Sequence, residues 1–390
     1  MSPPPAAATY PPRKMGFYTS GPPFAGDSLD RGESLGGSET AFIQMTQALA
    51  RRGHQVWAFN NCPRPGRHGG VGYHHFPEAL AVLAREKFDI FVVSRYAAFF
   101  NLPLTSGLKV LWNHDILDKP RELKLVHDEI DLFLVLSLFH RDNFLTRLPQ
   151  LDDRLVVTRN GLDLDFLDQA AEAAEAAAWP PDPGRLIYAS RPERGLKLLL
   201  EDIWPRLHQW NPDLRLQVCG YQLPEGPPPH LAPLYQEVDR LLAVTPGVID
   251  LGPLGKADYY RHLSRSALML YPSVFPEISC LAVLEAQALG VPPLTSDAFA
   301  LAESVPVPEL RVGGRPGSLE YVRAYVERAM SLLSRPQELA RLGRESRALV
   351  RARYAWDQVA AEWERLFDLN LRAKNRPGYV LERVELAKPN

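Results

Sequence analysis

The sequence predicts an α/β chain made of two parallel-sheet domains in tandem, and three observations carry that prediction. The length of 390 residues corresponds to two domains at roughly 150 residues each. Short apolar runs alternate with stretches of helical periodicity, as strands buried on both faces beneath helices do. Between two such alternating sets, Trp179-Pro180-Pro181-Asp182-Pro183-Gly184 stops a helix and stiffens a turn, which marks a boundary.

The first set opens at Met15 with MGFYTS and passes through a Gly/Pro-rich loop to Gly37. In the following TAFIQMTQALARRG, Ala41, Phe42, Met45 and Leu49 recur at helical spacing, Arg51 and Arg52 close the last turn and Gly53 stops it. Strands are expected at 54–59, 88–94, 109–114, 131–137 and 154–158, then an Ala-rich helix at 168–178. Beyond the break, strands are expected at 185–190, 215–220, 247–252, 267–273 and 292–296, with helices near 195–209, 256–264, 279–289 and 319–333. One helical stretch covers 337–373. The expected organisation is a disordered leader 1–14, a first Rossmann-like domain 15–178, a second 179–355, a closing helix 356–375 and a tail 376–390.

Composition narrows the function classes. With 44 basic and 46 acidic residues the net charge is −2, so no global basic field exists to capture nucleic acid. No run approaches the ~18 apolar residues of a membrane span, and the leader, crowded with Pro3, Pro4, Pro5, Pro11 and Pro12, lacks the architecture of a secretion signal. Cys62, Cys219 and Cys280 are odd in number and far apart, which fits reduced thiols in a cytoplasm. Lys119, Arg121 and Lys124 near apolar residues make a candidate for peripheral membrane contact; Glu122 dilutes it, and a solvated face is the first expectation.

Neither G-x-G-x-x-G nor a P-loop occurs, since Gly252-Pro253-Leu254-Gly255-Lys256 has the wrong spacing; nicotinamide and phosphate-loop chemistry lose support. Gly36-Gly37-Ser38-Glu39 lies between the first strand and its helix, where glycines admit a ligand to the backbone and free N–H groups favour an anion. A flexible loop with a cap at Ser38 explains the same motif equally well. The stronger signal is Tyr271 to Ala286, where Glu277 precedes a helix and Glu285 lies about two turns inside it, at 3.6 residues per turn. Backbone N–H groups from Ser279, through Cys280 and Leu281, to Ala282 would bind a phosphate between these carboxylates. That arrangement suits a nucleotide sugar, although a solvated Glu and a helix-surface Glu would read the same in isolation. Arg191 and Arg194, in Ser190-Arg191-Pro192-Glu193-Arg194-Gly195, follow the first strand of the same half at its carboxyl end, where open α/β sheets bind ligands and where a fixed cationic fork suits pyrophosphate.

Taken together, these motifs resemble the retaining glycosyltransferases of the GT-B fold, family 4. The resemblance covers nearly all of 15–370 and rests on five motifs in the family's order: Gly36-Gly37-x-Glu39, His114-Asp115, Asn160-Gly161-x-Asp163, Ser190-Arg191-x-x-Arg194-Gly195 and Glu277-x7-Glu285. Arg194 stands where the family usually has Lys, and Ile278 and Ser279 where it usually has Phe or Tyr and then Gly. The resemblance implies two Rossmann-like domains facing each other across a cleft, with the acceptor on the first and the donor on the second. It also implies a last helix that crosses back to the first domain. Glu285 would hold the ribose hydroxyls, Glu277 the donor sugar, Arg191 and Arg194 the pyrophosphate and Gly37 the donor from across the cleft. His114 would sit beside the donor sugar, and Ser38, Glu39 and Asp115 would face the acceptor. Glu277, His114, Arg191 and Arg194 are the candidate catalytic set, and Gly36, Gly37, Ser279, Cys280, Leu281 and Glu285 complete the donor set.

The expected activity is transfer from a nucleotide sugar, a UDP-sugar first and GDP-mannose second, to a hydroxyl acceptor by a front-face route. No cofactor is expected. Asp163-Leu164-Asp165 follows a turn signal and precedes a helix, so capping explains it, and no metal is expected either. A sugar phosphorylase, a nucleotide-sugar epimerase and a non-catalytic nucleotide-sugar binding module are the alternatives.

Overall fold

A computed structural model describes residues 10–177, 181–220 and 226–374. The chain divides into two compact units: one from Met1–Arg31, Gly37–Gly161 and Tyr354–Asn390, the other from Gly32–Gly36 and Leu162–Arg353.

The first unit contains β1 (Lys14–Tyr18), β2 (Gln55–Asn60), β3 (Gly66–His68), β4 (Val71–His75), β5 (Phe88–Ser94), β6 (Ser106–Trp112), β7 (Leu132–Val135) and β8 (Leu155–Val157). They form one sheet in the order β3-β4-β2-β1-β5-β6-β7-β8. All pairs are parallel except β3 with β4. The central strands are apolar because helices cover both faces; Ile90, Phe91, Val92 and Val93 of β5 are all fully buried. The β3–β4 hairpin turns at Gly69 and Gly70, both with positive φ (55° and 83°), the geometry of a tight two-residue turn.

The second unit holds β9 (Asp182–Ala189), β10 (Arg215–Gly220), β11 (Val248–Pro253), β12 (Ser266–Tyr271), β13 (Pro293–Ser296) and β14 (Arg311–Val312), in the order β11-β10-β9-β12-β13-β14 and parallel throughout. This is a second doubly wound sheet.

Several expectations need correction. The units divide at Gly161/Leu162 rather than after residue 178, and the helix Leu164–Ala176 belongs to the second unit. Packing decides this: Phe166 meets Tyr260 edge-on at 5.6 Å, Arg265 donates to the Ala171 carbonyl at 3.0 Å, and Arg351 donates to Asp168 at 2.9 Å. Of the Pro-rich turn, residues 179 and 180 lie outside the described residues, as does 178 of the preceding helix, and Asp182 already opens β9. Of the leader, 1–9 lie outside them, while Arg13 pairs with Asp368 at 3.0 Å and Lys14 begins β1. The tail 376–390 also lies outside them. The helical stretch 337–373 consists of two helices, Pro336–Arg351 and Trp356–Lys374, the second lying where a separate closing helix was expected. Within 195–209, a π-helical turn at Leu199–Ile203 interrupts the helix just before Pro205, which cannot donate a backbone hydrogen bond.

The helix Trp356–Lys374 packs on the first unit. Trp363 donates to Thr158 Oγ1 at 2.8 Å and Trp356 to Gln44 Oε1 at 2.7 Å. Glu364 accepts from Arg52 at 2.7 Å and meets His54 Nε2 at 2.8 Å. A Cβ on Gly161 would lie 2.4 Å from the Trp356 ring, so glycine in the Asn-Gly-x-Asp motif is required by this contact.

Candidate functional site

In the second unit, β9 and β12 run parallel as direct neighbours, with Leu186 opposite Leu268 and Ile187 opposite Met269. Their carboxyl ends therefore bring the Arg191–Gly195 turn against the Tyr271–Glu277 loop. Gly195 has φ 125°, and a Cβ there would come within 2.3 Å of the Pro272 carbonyl oxygen, so only glycine allows that approach.

The approach places Arg194 on Glu277. Its NH1 donates to Glu277 Oε2 at 2.7 Å, and the guanidinium lies 3.7 Å over the Phe275 ring. Glu277 is 3% exposed and also accepts from the Tyr271 hydroxyl at 2.7 Å. Burial, then the neighbouring Cys280 and Glu277, push the Tyr271 hydroxyl well above its ordinary range, so it stays a donor. Arg191 meets Glu193 at 3.0 Å, which in turn accepts from Tyr235 at 2.9 Å.

Glu285 is 1% exposed in the helix Leu281–Ala288. Its Oε1 accepts from the Tyr260 hydroxyl at 2.8 Å and from Lys256 Nζ. Oε2 has no hydrogen-bond partner among the described residues. The helix opens at Leu281, two residues later than expected, because Cys280 is extended at its N-cap (φ −91°, ψ 99°) and makes no side-chain cap bond. The unpaired N–H groups of its first turn therefore begin at Leu281, and Ser279 precedes them. Burial pushes the thiols of Cys219 and Cys280 up to about 12, so both stay protonated.

The first unit gathers the other predicted residues at the paired ends of β5 and β6, where Ser94 lies opposite Trp112. Arg95 bonds both oxygens of Asp115, at 2.7 and 3.1 Å, and stands 3.4 Å from Ser38 Oγ and 3.5 Å from Glu39. Burial opposes its charge, but Asp115 and Glu39 outweigh that and hold it charged. Arg95 adopts φ 71°, a left-handed conformation uncommon outside glycine. Ser38 lies inside the helix Gly37–Arg51 and donates to Glu39 at 2.9 Å rather than capping it, whereas Gly36 groups with the second unit.

His114 packs 4.3 Å from Trp112, and its Nε2 is buried with no partner among the described residues. Burial, then Arg95 and His140, hold its pKa well below the ordinary histidine value. His140 is fully buried; its Nδ1 accepts from the Leu136 N–H at 3.2 Å, so Nε2 carries the proton and donates to the Asp115 carbonyl at 2.9 Å. Asp163 caps the helix Leu164–Ala176 by accepting from the Phe166 N–H at 3.0 Å. Among the described residues no three His, Cys, Asp or Glu side chains cluster as metal ligands would.

Tyr260, Arg95 and His140 belong to none of the sequence motifs, and Tyr271 and Lys256 fall in quoted segments without a role assigned to them. The Gly255-Lys256 pair was visible as a failed P-loop, but nothing in its spacing pointed to Glu285. The helix Arg121–Val126 buries Leu123 and Val126 and leaves Leu125, next to Lys124, 75% exposed. No helix among the described residues is long and apolar enough to cross a membrane.

Residues 183–327, which carry both glutamates and both arginines, match the model of the family described as glycosyl transferases group 1. The glycogen synthase of Mycobacterium tuberculosis (strain CDC 1551 / Oshkosh) is 26% identical over 245 residues, 60% of this chain and 53% of that protein. The chain thus spans about half the length of the curated relatives it matches. Among solved structures, the sucrose-phosphate synthase of Thermosynechococcus elongatus superposes with TM-score 0.71 at 16% identity, covering 91% of this chain and 98% of that one. Anabaena HepE in complex with UDP and glucose superposes with TM-score 0.67 at 17% identity, covering 91% and 99%. The chain has the GT-B α/β fold, and its second unit is similar in sequence to the glycosyl transferases of group 1.

Proposed function

We propose that the chain is a retaining glycosyltransferase of family 4 that binds a nucleotide-sugar donor on its second unit and transfers the sugar to a hydroxyl acceptor bound by the first. The observation that carries this is the pair of buried carboxylates, Glu277 and Glu285, flanking a helix start inside the segment that matches the family. A carboxylate excluded from water is costly unless it has partners. Glu277 has a phenol and a guanidinium, and Glu285 has one oxygen with no partner among the described residues, available to a ligand hydroxyl.

In this proposal the ribose hydroxyls donate to Glu285, the pyrophosphate meets the first-turn N–H groups, Arg191 and Arg194, and the sugar hydroxyls meet Glu277. The bond between the anomeric carbon and the phosphate oxygen breaks while the acceptor oxygen bonds that carbon on the same face. The departing phosphate oxygen takes the acceptor's proton, and its charge is met by fixed cationic donors. The reaction needs no metal in this account, since the arginines supply that charge and Asp163 is engaged in capping. UDP-sugars are the first donor choice, in line with UDP in the HepE structure, and GDP-mannose the second. A cytoplasmic location belongs to the same proposal.

Thermal shift against UDP, GDP, ADP and dTDP tests it, because a ligand that binds only the folded state raises the melting temperature, by an amount that grows with the logarithm of its affinity. One nucleoside diphosphate should stabilise the chain by several degrees. No shift with any of the four at millimolar concentration would remove the donor assignment.

A further inference from the structure

The two oxygens of Glu285 are treated differently. Oε1 takes both available donors, the Tyr260 hydroxyl and Lys256 Nζ, while Oε2 is equally buried and bare among the described residues. An ionised carboxylate offers about four acceptor sites, so the fold leaves the oxygen most in need of a donor without one. Lys256 is itself oddly placed. It is the first residue of the helix Lys256–Ser264, where the helix dipole disfavours a cation, and its side chain is only 14% exposed. Its ammonium lies 5.4 Å from the ring centres of both Tyr259 and Tyr260, and its carboxylate partner is 2% exposed.

We infer that Lys256 is a positioning residue that pins Oε1 of Glu285 and fixes the plane of the carboxylate. Oε2 is thereby held as the acceptor for the paired hydroxyls of the donor ribose, and the site selects ribonucleotides over analogues lacking one of them. This rests on the nucleotide-sugar proposal above. With two donors on one oxygen the carboxylate cannot swivel, and the ligand must bring its own donors to the other. A nucleotide missing a hydroxyl leaves Oε2 unsatisfied in a dry site, which is how a hydrogen-bonding site rejects a near-isostere. Without Lys256, Glu285 would gain freedom to turn, and an orienting role predicts that discrimination suffers along with affinity.

Calorimetry on the full chain tests this with UDP, GDP and ADP and their 2′-deoxy and 3′-deoxy counterparts. For whichever base binds, the wild type should lose about tenfold in affinity on removal of one hydroxyl. Lys256→Met should weaken the ribonucleotide about tenfold, leave the weakened analogue within about twofold, and so bring the ratio below about three. Lys256→Arg should retain most of the ratio. A Lys256→Met protein that binds both forms more weakly but keeps the wild-type ratio overturns the inference and leaves the donor proposal standing. A wild type that binds no nucleoside diphosphate overturns both. If Lys256→Met does not fold, as judged by circular dichroism, Tyr260→Phe removes the other donor to Oε1. That variant must then lower the same ratio at least threefold, and an unchanged ratio overturns the inference.

Discussion

Arg194 donates to Oε2 of Glu277 at 2.7 Å, and the two side chains retain only 18% and 4% exposure. Their meeting is set by the sheet: β9 and β12 are parallel neighbours, and Gly195 lets the turn carrying Arg194 press against Pro272. In the proposed reaction Arg194 faces both the donor phosphate and the carboxylate that holds the sugar, so phosphate binding and release of Glu277 are coupled.

Removing Arg194 alone should therefore cost stability as well as activity. Arg194→Ala leaves the buried Glu277 without its cationic partner, and the expected loss is about 3 kcal/mol, the low end for a broken buried pair because Arg194 keeps some exposure. Urea denaturation of the two proteins measures it; a loss under about 0.5 kcal/mol would mean the pair is solvated and weak.

Glu277→Gln retains shape and one acceptor for Tyr271 but lacks the charge that draws Arg194. Nucleoside diphosphate release from the donor, in the presence of acceptor, should fall by about two orders of magnitude, roughly 2.7 kcal/mol of transition-state stabilisation, with a small change in melting temperature. Near-normal turnover would remove Glu277 from the reacting centre.

Acid should destabilise the first unit through its histidines. His140 titrates at about 4 in the fold, held down by burial, against about 6.5 when unfolded. Below pH 6.5 the unfolded chain takes up a proton that the fold refuses, so stability falls as pH drops from 6.5 toward 4, by up to about 1.4 kcal/mol per pH unit from this one ring. His114, also held below its ordinary value, adds to the same limb. His140→Gln should flatten the slope between pH 6.5 and 5 in denaturation experiments, and an unchanged slope would place the titration elsewhere.

Arg95 offers a test that separates backbone strain from charge. At φ 71°, Arg95→Ala loses the Asp115 pair and keeps the strain, whereas Arg95→Gly loses the pair and releases the strain. The glycine variant should be more stable than the alanine variant by about 1 kcal/mol. Equal stability of the two would show that the left-handed turn carries no strain.

Much of this architecture was legible in the sequence because burial on both faces writes strands as plain apolar runs. Phe88–Ser94, Arg215–Gly220 and the helix Lys256–Ser264 fall where the pattern puts them. The β3–β4 hairpin was not legible, since RHGGVGYHH has no apolar run and its signal is two glycines at a turn. The boundary was misplaced because the conspicuous prolines at 180–183 sit near it, while side-chain packing of Phe166 and Asp168 decides which unit the preceding helix joins. At the site, local motifs found Glu277 and Glu285, but not what holds them. Lys256 is 29 residues from Glu285, and Tyr260 is 25. Arg95 is 20 residues from Asp115. Only the sheet order brings such partners together.

The most direct test of the central claim is calorimetric titration of the full chain and of Glu285→Ala with UDP, GDP and ADP. The account predicts that one of the three binds the wild type with one-to-one stoichiometry, and that Glu285→Ala weakens it at least tenfold, about 1.4 kcal/mol. Absence of binding by all three at millimolar concentration, or equal binding by the Glu285→Ala variant, would contradict it.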